Sequence, residues 1–196
     1  MKAFRLHSYD GPTALTLDEV PELPHEGDAA IVAVKAIGIN FPDLLLTKGQ
    51  YQRKPETPFT PGCEVAGVIR WAPADSVWEV GDRVMAFVWD GSYAESVAVP
   101  LHSLVAIPDD MGFDVAAGLV VNHHTVHFAL ARRGRLEAGE SVLVMGAAGG
   151  IGSAAVQVAK GLKAWVIAGV AGEHEISVAT EAGADEVIVL EEGFST

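Results

Sequence analysis

Only one cysteine, Cys63, occurs in 196 residues, so the chain cannot form an internal disulfide, as suits a reducing compartment. Basic residues are scarce as well. Thirteen Lys and Arg stand against 26 Asp and Glu, giving a formal net charge of -13. Such an excess repels nucleic-acid phosphates and anionic membrane surfaces, so neither is an expected partner. No apolar run approaches the roughly 20 residues that a membrane helix needs, and the opening MKAFRLHSYDG has no signal-peptide core. The expectation from these absences is a cytoplasmic protein. Internal repeats and low-complexity segments are also missing, which leaves an ordinary globular composition, 49% hydrophobic, able to bury a core.

What is present falls into two patterns. Up to about Pro108, short β-type runs (AIVAVKAIGI, CEVAGVIRW, DRVMAFVW, SYAESVAV and SLVAI) are separated by Gly and Pro, which predicts a β-barrel or sandwich. Asp109 and Asp110 suit a helix start, and FDVAAGLVVNHHTVHFALARR has helical length with a basic end where the helix dipole favours it. Beyond it, SVLVMG, AAGGIGSAAVQVAKGL, AWVIAGV, a second helical stretch and EVIVL alternate strand with helix. That alternation predicts parallel strands joined by crossovers.

Ala147-Ala148-Gly149-Gly150-Ile151-Gly152 lies directly after a predicted strand and opens a helix. Glycines there allow a tight turn and a close approach of backbone N–H groups to a pyrophosphate, so these six residues are the candidate dinucleotide loop, with Ala147 where the first glycine usually stands. The residue that chooses between coenzymes sits about twenty residues further on, in GVAGEHE. Ala171 has no carboxylate for a ribose 2′-OH, which disfavours NADH; His174 is the nearby cation candidate for a 2′-phosphate, and NADPH is the expected cofactor. Glu173 and Glu175 would oppose a phosphate unless turned away.

Four stretches together, VKAIGINFPDLLLTKGQY, TPFTPGCEVAGVI, AAGLVVNHHTVHFALARRGRLEAGESVLV and the GAAGGIG loop with its helix, resemble the medium-chain dehydrogenase/reductase superfamily, in its zinc-independent quinone oxidoreductase branch. The resemblance implies a GroES-like catalytic domain, residues 1–120, followed by a connecting helix and an incomplete Rossmann domain, residues 121–196. It implies hydride transfer from NAD(P)H to a quinone, an enone or an enoyl thioester. Zinc-dependent members carry Cys, His and Cys where this chain has Asn40, Cys63 and Val121, too few ligands for a catalytic zinc. The structural zinc lobe has no counterpart in WDGS either, so no metal is expected. His123 and His127, four apart on a helix, could with Cys63 and Glu64 form another ligand set, but no HExxH pattern accompanies them.

By the same resemblance, Asn40 is the amide donor of the active site, Tyr51 lines the substrate pocket and offers a proton, and Thr125 contacts the nicotinamide end of the cofactor. Asp43 matches the family's Asp, with the role of holding its loop or a partner side chain. From the residues alone, Asn40 also reads as the closure of a turn before Phe41-Pro42, Tyr51 as a half-exposed aromatic, and Thr125 as a hydroxyl bonded to its own helix. Leu45 replaces an aromatic of some relatives and makes the pocket more apolar. Trp71, Trp78, Trp89 and Trp165 read as packing without chemistry. A full nucleotide domain has six strands and this chain supplies three, so a fragment, or a half needing a partner, is expected, with doubtful hydride transfer on its own. Relatives imply a homodimer for the complete protein. A non-catalytic nucleotide-binding protein, and zinc alcohol dehydrogenase chemistry, are the competing readings.

Overall fold

In the computed structural model, residues 1–190 are described. They divide into two compact units, Met1–Val121 and a second beginning at Asn122.

The first unit is antiparallel throughout. Strands β1 (Lys2–Leu6) and β2 (Leu15–Glu19) form a hairpin pair. β3 (Ala29–Gly38), β4 (Glu64–Trp71), β5 (Arg83–Phe87), β6 (Ser96–Pro100) and β7 (Leu104–Ala106) form a five-stranded sheet in the order β6-β3-β4-β5-β7. Two register shifts in β3, at Ile31/Val32 and Val34/Ala36, mark the irregularities that let a long strand bend. Bridges from Ala3 to Ala94 and from Leu6 to Phe59 tie β1 to the loops of the larger sheet, so the sheets curl into the expected half-barrel. β-branched residues fill the core: Val32, Val65, Ile69, Val84 and Val99 are all at most 1% exposed. Their inward positions alternate with outward ones, as the two-residue period of a strand requires.

The sequence reading named the five strands of the large sheet but not β1 or β2. The segment after Pro108 also differs from the single helix expected. Asp109 and Asp110 lie in a turn closed by Met111 N–H on the Pro108 carbonyl. Helix α1 (Phe41–Thr47) belongs to the sheet's loop region, and α2 begins only at Phe113 and ends at Ala117. Gly118 breaks the run, as glycine's poor helix propensity favours. α3 (Val120–His127) follows, then a π-helical turn over Phe128–Gly134 that stops at Arg135, whose φ is 53°.

In the second unit, β8 (Ser141–Met145), β9 (Trp165–Val170) and β10 (Glu186–Val189) are parallel, in the order β10-β9-β8. That is the 3-2-1 half of a doubly wound nucleotide domain. α4 (Gly150–Gly161) presents Gly152, Val156 and Ala159, at i, i+4 and i+7, to Val144, Val166 and Ala168, the apolar stripe that a helix needs to cover a sheet. α5 (Ile176–Glu181) adds the buried Ala179. No helix among the described residues is long and apolar enough to cross a membrane.

Ile69 is 1% exposed in the β core, whereas Val77 is 91% exposed. Ile69→Ala is expected to lower stability by about 2–5 kcal/mol and Val77→Ala by less than about 0.5 kcal/mol, both read from urea unfolding followed by circular dichroism.

Candidate active site

Asn40 follows β3 and is the N-cap of α1, with an extended backbone (φ −120°, ψ 158°). Its own N–H donates to Asp43 Oδ2 at 2.8 Å, and Asp43 N–H donates to the Asn40 carbonyl at 3.0 Å. Asn40 thus closes a turn with its backbone, and the Asp43 carboxylate accepts from that turn. The Asn40 side chain does something further. Its Nδ2 donates to Glu64 Oε2 at 2.9 Å and lies 3.9 Å from Cys63 Sγ.

Glu64 opens β4 and is only 1% exposed. Its second oxygen, Oε1, accepts the Val121 N–H at 2.7 Å. The three positions at which zinc-dependent members carry ligands thus converge, joined here by a carboxylate. A catalytic zinc wants deprotonated Cys, neutral His or carboxylate donors. Val121 has no donor atom, the Asn40 amide is committed to Glu64, and the Cys63 thiol is held protonated. Among the described residues no group of three or more His, Cys, Asp and Glu is placed to hold a metal ion. Of the alternative set, Glu64 is spent on Asn40 and Val121, and His123 Nε2 faces Gln157 Oε1 at 3.3 Å.

Asp43, 6% exposed, accepts hydrogen bonds from the Tyr93 hydroxyl and the Cys63 thiol as well as from Asn40 N–H. Burial pushes its carboxyl above the usual carboxylate range, and the three donors pull it part of the way back. Burial first, then the charges of Asp43 and Glu64, push Cys63 from 9.0 up to about 12. Tyr93 is raised by burial and by Asp43, so it stays a phenol and a donor.

Asp43 and Cys63 form one wall of a cavity of about 90 Å³, completed by Pro42, Leu46, Tyr51, Arg53, Phe87, Trp89 and Val121. Tyr51 is therefore in the wall of this cavity, and Asn40, which does not line it, reaches Cys63 of the same wall through Nδ2. Leu46 lines the cavity, whereas Leu45 does not. Trp89, to which the sequence reading assigned no chemistry, sits edge-on to Phe87 at 5.1 Å, with the Arg53 guanidinium 5.8 Å from its ring centre. Glu64 entered the sequence reading only as a metal ligand, and Tyr93 and Trp89 had no local signal. Their roles come from partners 24, 50 and 36 residues or more away in the chain, namely Asn40, Asp43 and Arg53.

The second unit carries the glycine loop. Gly146, at φ +64°, adopts the left-handed turn, so Ala147 can stand where a glycine is usual; it is buried and its N–H donates to the Gly169 carbonyl at 3.0 Å. A Cβ on Gly152 would lie 2.0 Å from the Gly146 carbonyl oxygen, so helix and strand pack closely only with glycine there. Gly149 caps α4, and Gly149, Gly150 and Ile151 are exposed, while Ala148 is half-buried. The first N–H groups of α4 have no partner in their own helix and point outward, the arrangement that receives a phosphate. Asn122 lies over Gly150, its Nδ2 3.1 Å from where a Cβ would stand. Thr125 is exposed on α3. At the end of β9, Ala171 N–H donates to Glu175 Oε2 at 2.8 Å, which turns that carboxylate inward, and His174, 82% exposed, lies 4.0 Å from Glu175 Oε1.

An antiparallel half-barrel followed by parallel strands with a glycine loop is the architecture of a nucleotide-dependent dehydrogenase or reductase. Residues 26–109 match the alcohol dehydrogenase GroES-like domain. The chain is 38% identical over 194 residues to human quinone oxidoreductase, covering 95% of this chain and 58% of that protein. A probable oxidoreductase from Mycobacterium abscessus superposes with a TM-score of 0.94 at 50% identity, over 100% of this chain and 63% of the other. The quinone oxidoreductase of Thermus thermophilus, solved alone and with NADPH, gives 0.84 at 35% identity, over 96% and 60%. These similarities support assignment of the chain to the medium-chain dehydrogenase/reductase superfamily, in its quinone oxidoreductase-like branch. It spans between 38% and 58% of the length of the curated relatives it matches.

The shift of Cys63 from 9.0 to about 12 lowers its thiolate fraction near neutral pH about a thousandfold. Iodoacetamide labelling of the folded protein at pH 7.5 is expected to be slower than that of the unfolded chain by at least about a hundredfold, and Asp43→Asn, which removes one adjacent negative charge, is expected to speed it. Because the folded value is raised, the stability carried by the neutral thiol is complete below pH 9 and is lost as pH climbs through about 12.

Proposed function

We propose that this chain is the catalytic-domain and nucleotide-loop portion of an NADPH-dependent oxidoreductase that reduces a quinone or an α,β-unsaturated carbonyl without a metal ion. The observation that carries the reading is the loop Ala147–Gly152, whose glycines leave the exposed N-terminus of α4 open to a pyrophosphate. When bound, the nicotinamide supplies the hydride. Ala148, Gly150, Ile151 and Gly152 would offer backbone N–H groups to the cofactor's phosphates, Ala147 and Gly149 would shape the turn with their own N–H groups on the Gly169 and Gly146 carbonyls, and Thr125 would contact the nicotinamide end.

His174 supports NADPH over NADH. Ala171 carries no acid for a 2′-OH, Glu175 is turned onto the Ala171 N–H, and the His174 imidazole, 82% exposed, is left open at this strand end. Solved quinone oxidoreductases from Thermus thermophilus and Escherichia coli were obtained as NADPH complexes, in keeping with this choice.

The substrate's carbonyl end occupies the cavity of the first unit. Reduction of a carbonyl or enone places negative charge on oxygen, which prepositioned donors stabilise. Asn40 supplies an amide N–H, and Tyr51 in the cavity wall delivers the proton that completes addition of two hydrogens. Asp43 holds the Asn40 turn in place. The apolar wall of Leu46, Phe87, Trp89 and Val121 suits a flat conjugated ring or chain, and a small-molecule substrate is the partner. Homodimerisation, implied by the resemblance, and a cytoplasmic location, expected from the sequence, complete the proposal.

Gly149 has φ −77° and a Cβ there would meet nothing closer than 3.4 Å, so Gly149→Asp keeps the fold and places a carboxylate against the phosphates. In a fluorescence titration, NADPH is expected to bind more tightly than NADH, and Gly149→Asp to weaken both by about a hundredfold or more, roughly 3 kcal/mol. His174→Ala is expected to narrow the difference between the coenzymes. Equal binding of either nucleotide to Gly149→Asp would remove the loop from the site.

A further inference from the structure

We infer that Glu64 is a positioning residue: its carboxylate decides which end of the Asn40 amide faces the substrate. The inference rests on the reading above that Asn40 is the amide donor.

Asn has two chemically opposite ends on a planar amide, one donating and one accepting. A free Asn turns either way. A carboxylate can only accept, so the contact of 2.9 Å with Glu64 Oε2 requires the Nδ2 end to face Glu64. One Nδ2 hydrogen is thereby used, and the same nitrogen makes a long, weak hydrogen bond of 3.9 Å to Cys63 Sγ in the cavity wall, the one contact a substrate oxygen would have to replace. Glu64 itself cannot swing. Its other oxygen holds the Val121 N–H at 2.7 Å, it is 1% exposed, and its strand partner is Gly38. A Cβ on Gly38 would lie 2.1 Å from Glu64 Oε2 and 2.7 Å from the Ala117 carbonyl oxygen. The space for this carboxylate is reserved by a glycine on the neighbouring strand, and Gly38, Asn40 and Val121 all belong to the first unit.

Glu64→Gln keeps the shape and the acceptor for Val121 but turns an NH₂ toward Asn40, so the amide reverses to offer Oδ1. The test is a double-mutant cycle in the full-length protein with Asn40→Ala, read by kcat and KM for quinone reduction, and by the ¹⁵N side-chain amide spectrum of the nucleotide-free protein. Glu64→Gln is expected to lower kcat about 10- to 100-fold with KM for NADPH unchanged, to shift the Asn40 Nδ2 resonance, and to cost nothing further once Asn40 is Ala. An unshifted Asn40 resonance, or the same loss of kcat in the Asn40→Ala background, overturns the role of Glu64 while leaving Asn40 in place. Unchanged kcat in Asn40→Ala itself overturns the donor reading, and the role of Glu64 falls with it. Should Glu64→Gln unfold, Glu64→Asp retains an acceptor-only group and is expected to keep the Asn40 Nδ2 signal near its original position; loss of that signal overturns the inference.

Discussion

A carboxylate removed from water is costly unless every oxygen is met by a donor, and Glu64 is the group about which the first unit is arranged. Its two oxygens bind the end of β3, through Asn40, and the start of α3, through Val121, to the first residue of β4. Three elements distant in sequence are fixed by one side chain. Gly38 is a glycine because this carboxylate stands opposite it. Once Asn40 is held, α1 starts at the next residue, Asp43 caps back onto the Asn40 N–H, and the Asp43 carboxylate becomes the acceptor for Tyr93 and Cys63. The polar floor of the cavity follows from these steps in order.

The same arrangement explains the chemistry of the one cysteine. Asp43 and Glu64 stand beside a buried thiol, so its proton is retained. The cavity lined by Cys63 therefore presents a thiol rather than a nucleophilic thiolate. In the second unit the corresponding constraint is steric. Gly152 lets α4 approach the Gly146 carbonyl, and that approach sets the exposed helix N-terminus at the end of β8.

Most of the architecture is legible in the sequence because its signals are local. The apolar runs of β8 and β9 and the glycine loop announce a parallel nucleotide half, and Gly and Pro punctuation separates the strands of the larger sheet. β1 and β2 escape notice because KAFRL and LTLDE mix charge with apolar residues and leave Phe4 and Leu17 half-exposed. The long helix after Pro108 fails at Gly118, where the breaker outweighs the apolar pattern on both sides. At the proposed site, Asn40, Asp43 and Tyr51 are found as candidates because the stretch VKAIGINFPDLLLTKGQY resembles the family. Glu64, Tyr93 and Trp89 are not, since each acquires its role from a partner across the sheet, a relation that spacing along one chain does not encode. Asn40 closes a turn with its backbone, one of the two readings the sequence offers, and its side chain goes to Glu64.

On the proposed function, Asn40, held by Glu64, stands where a metal ligand set would otherwise be. Metal analysis of the purified full-length protein, paired with NADPH-dependent quinone reduction before and after exhaustive chelation, tests it most directly. The account predicts far less than one zinc per chain and an unchanged rate after chelation. Stoichiometric zinc, with activity lost on its removal and restored on its return, would contradict it.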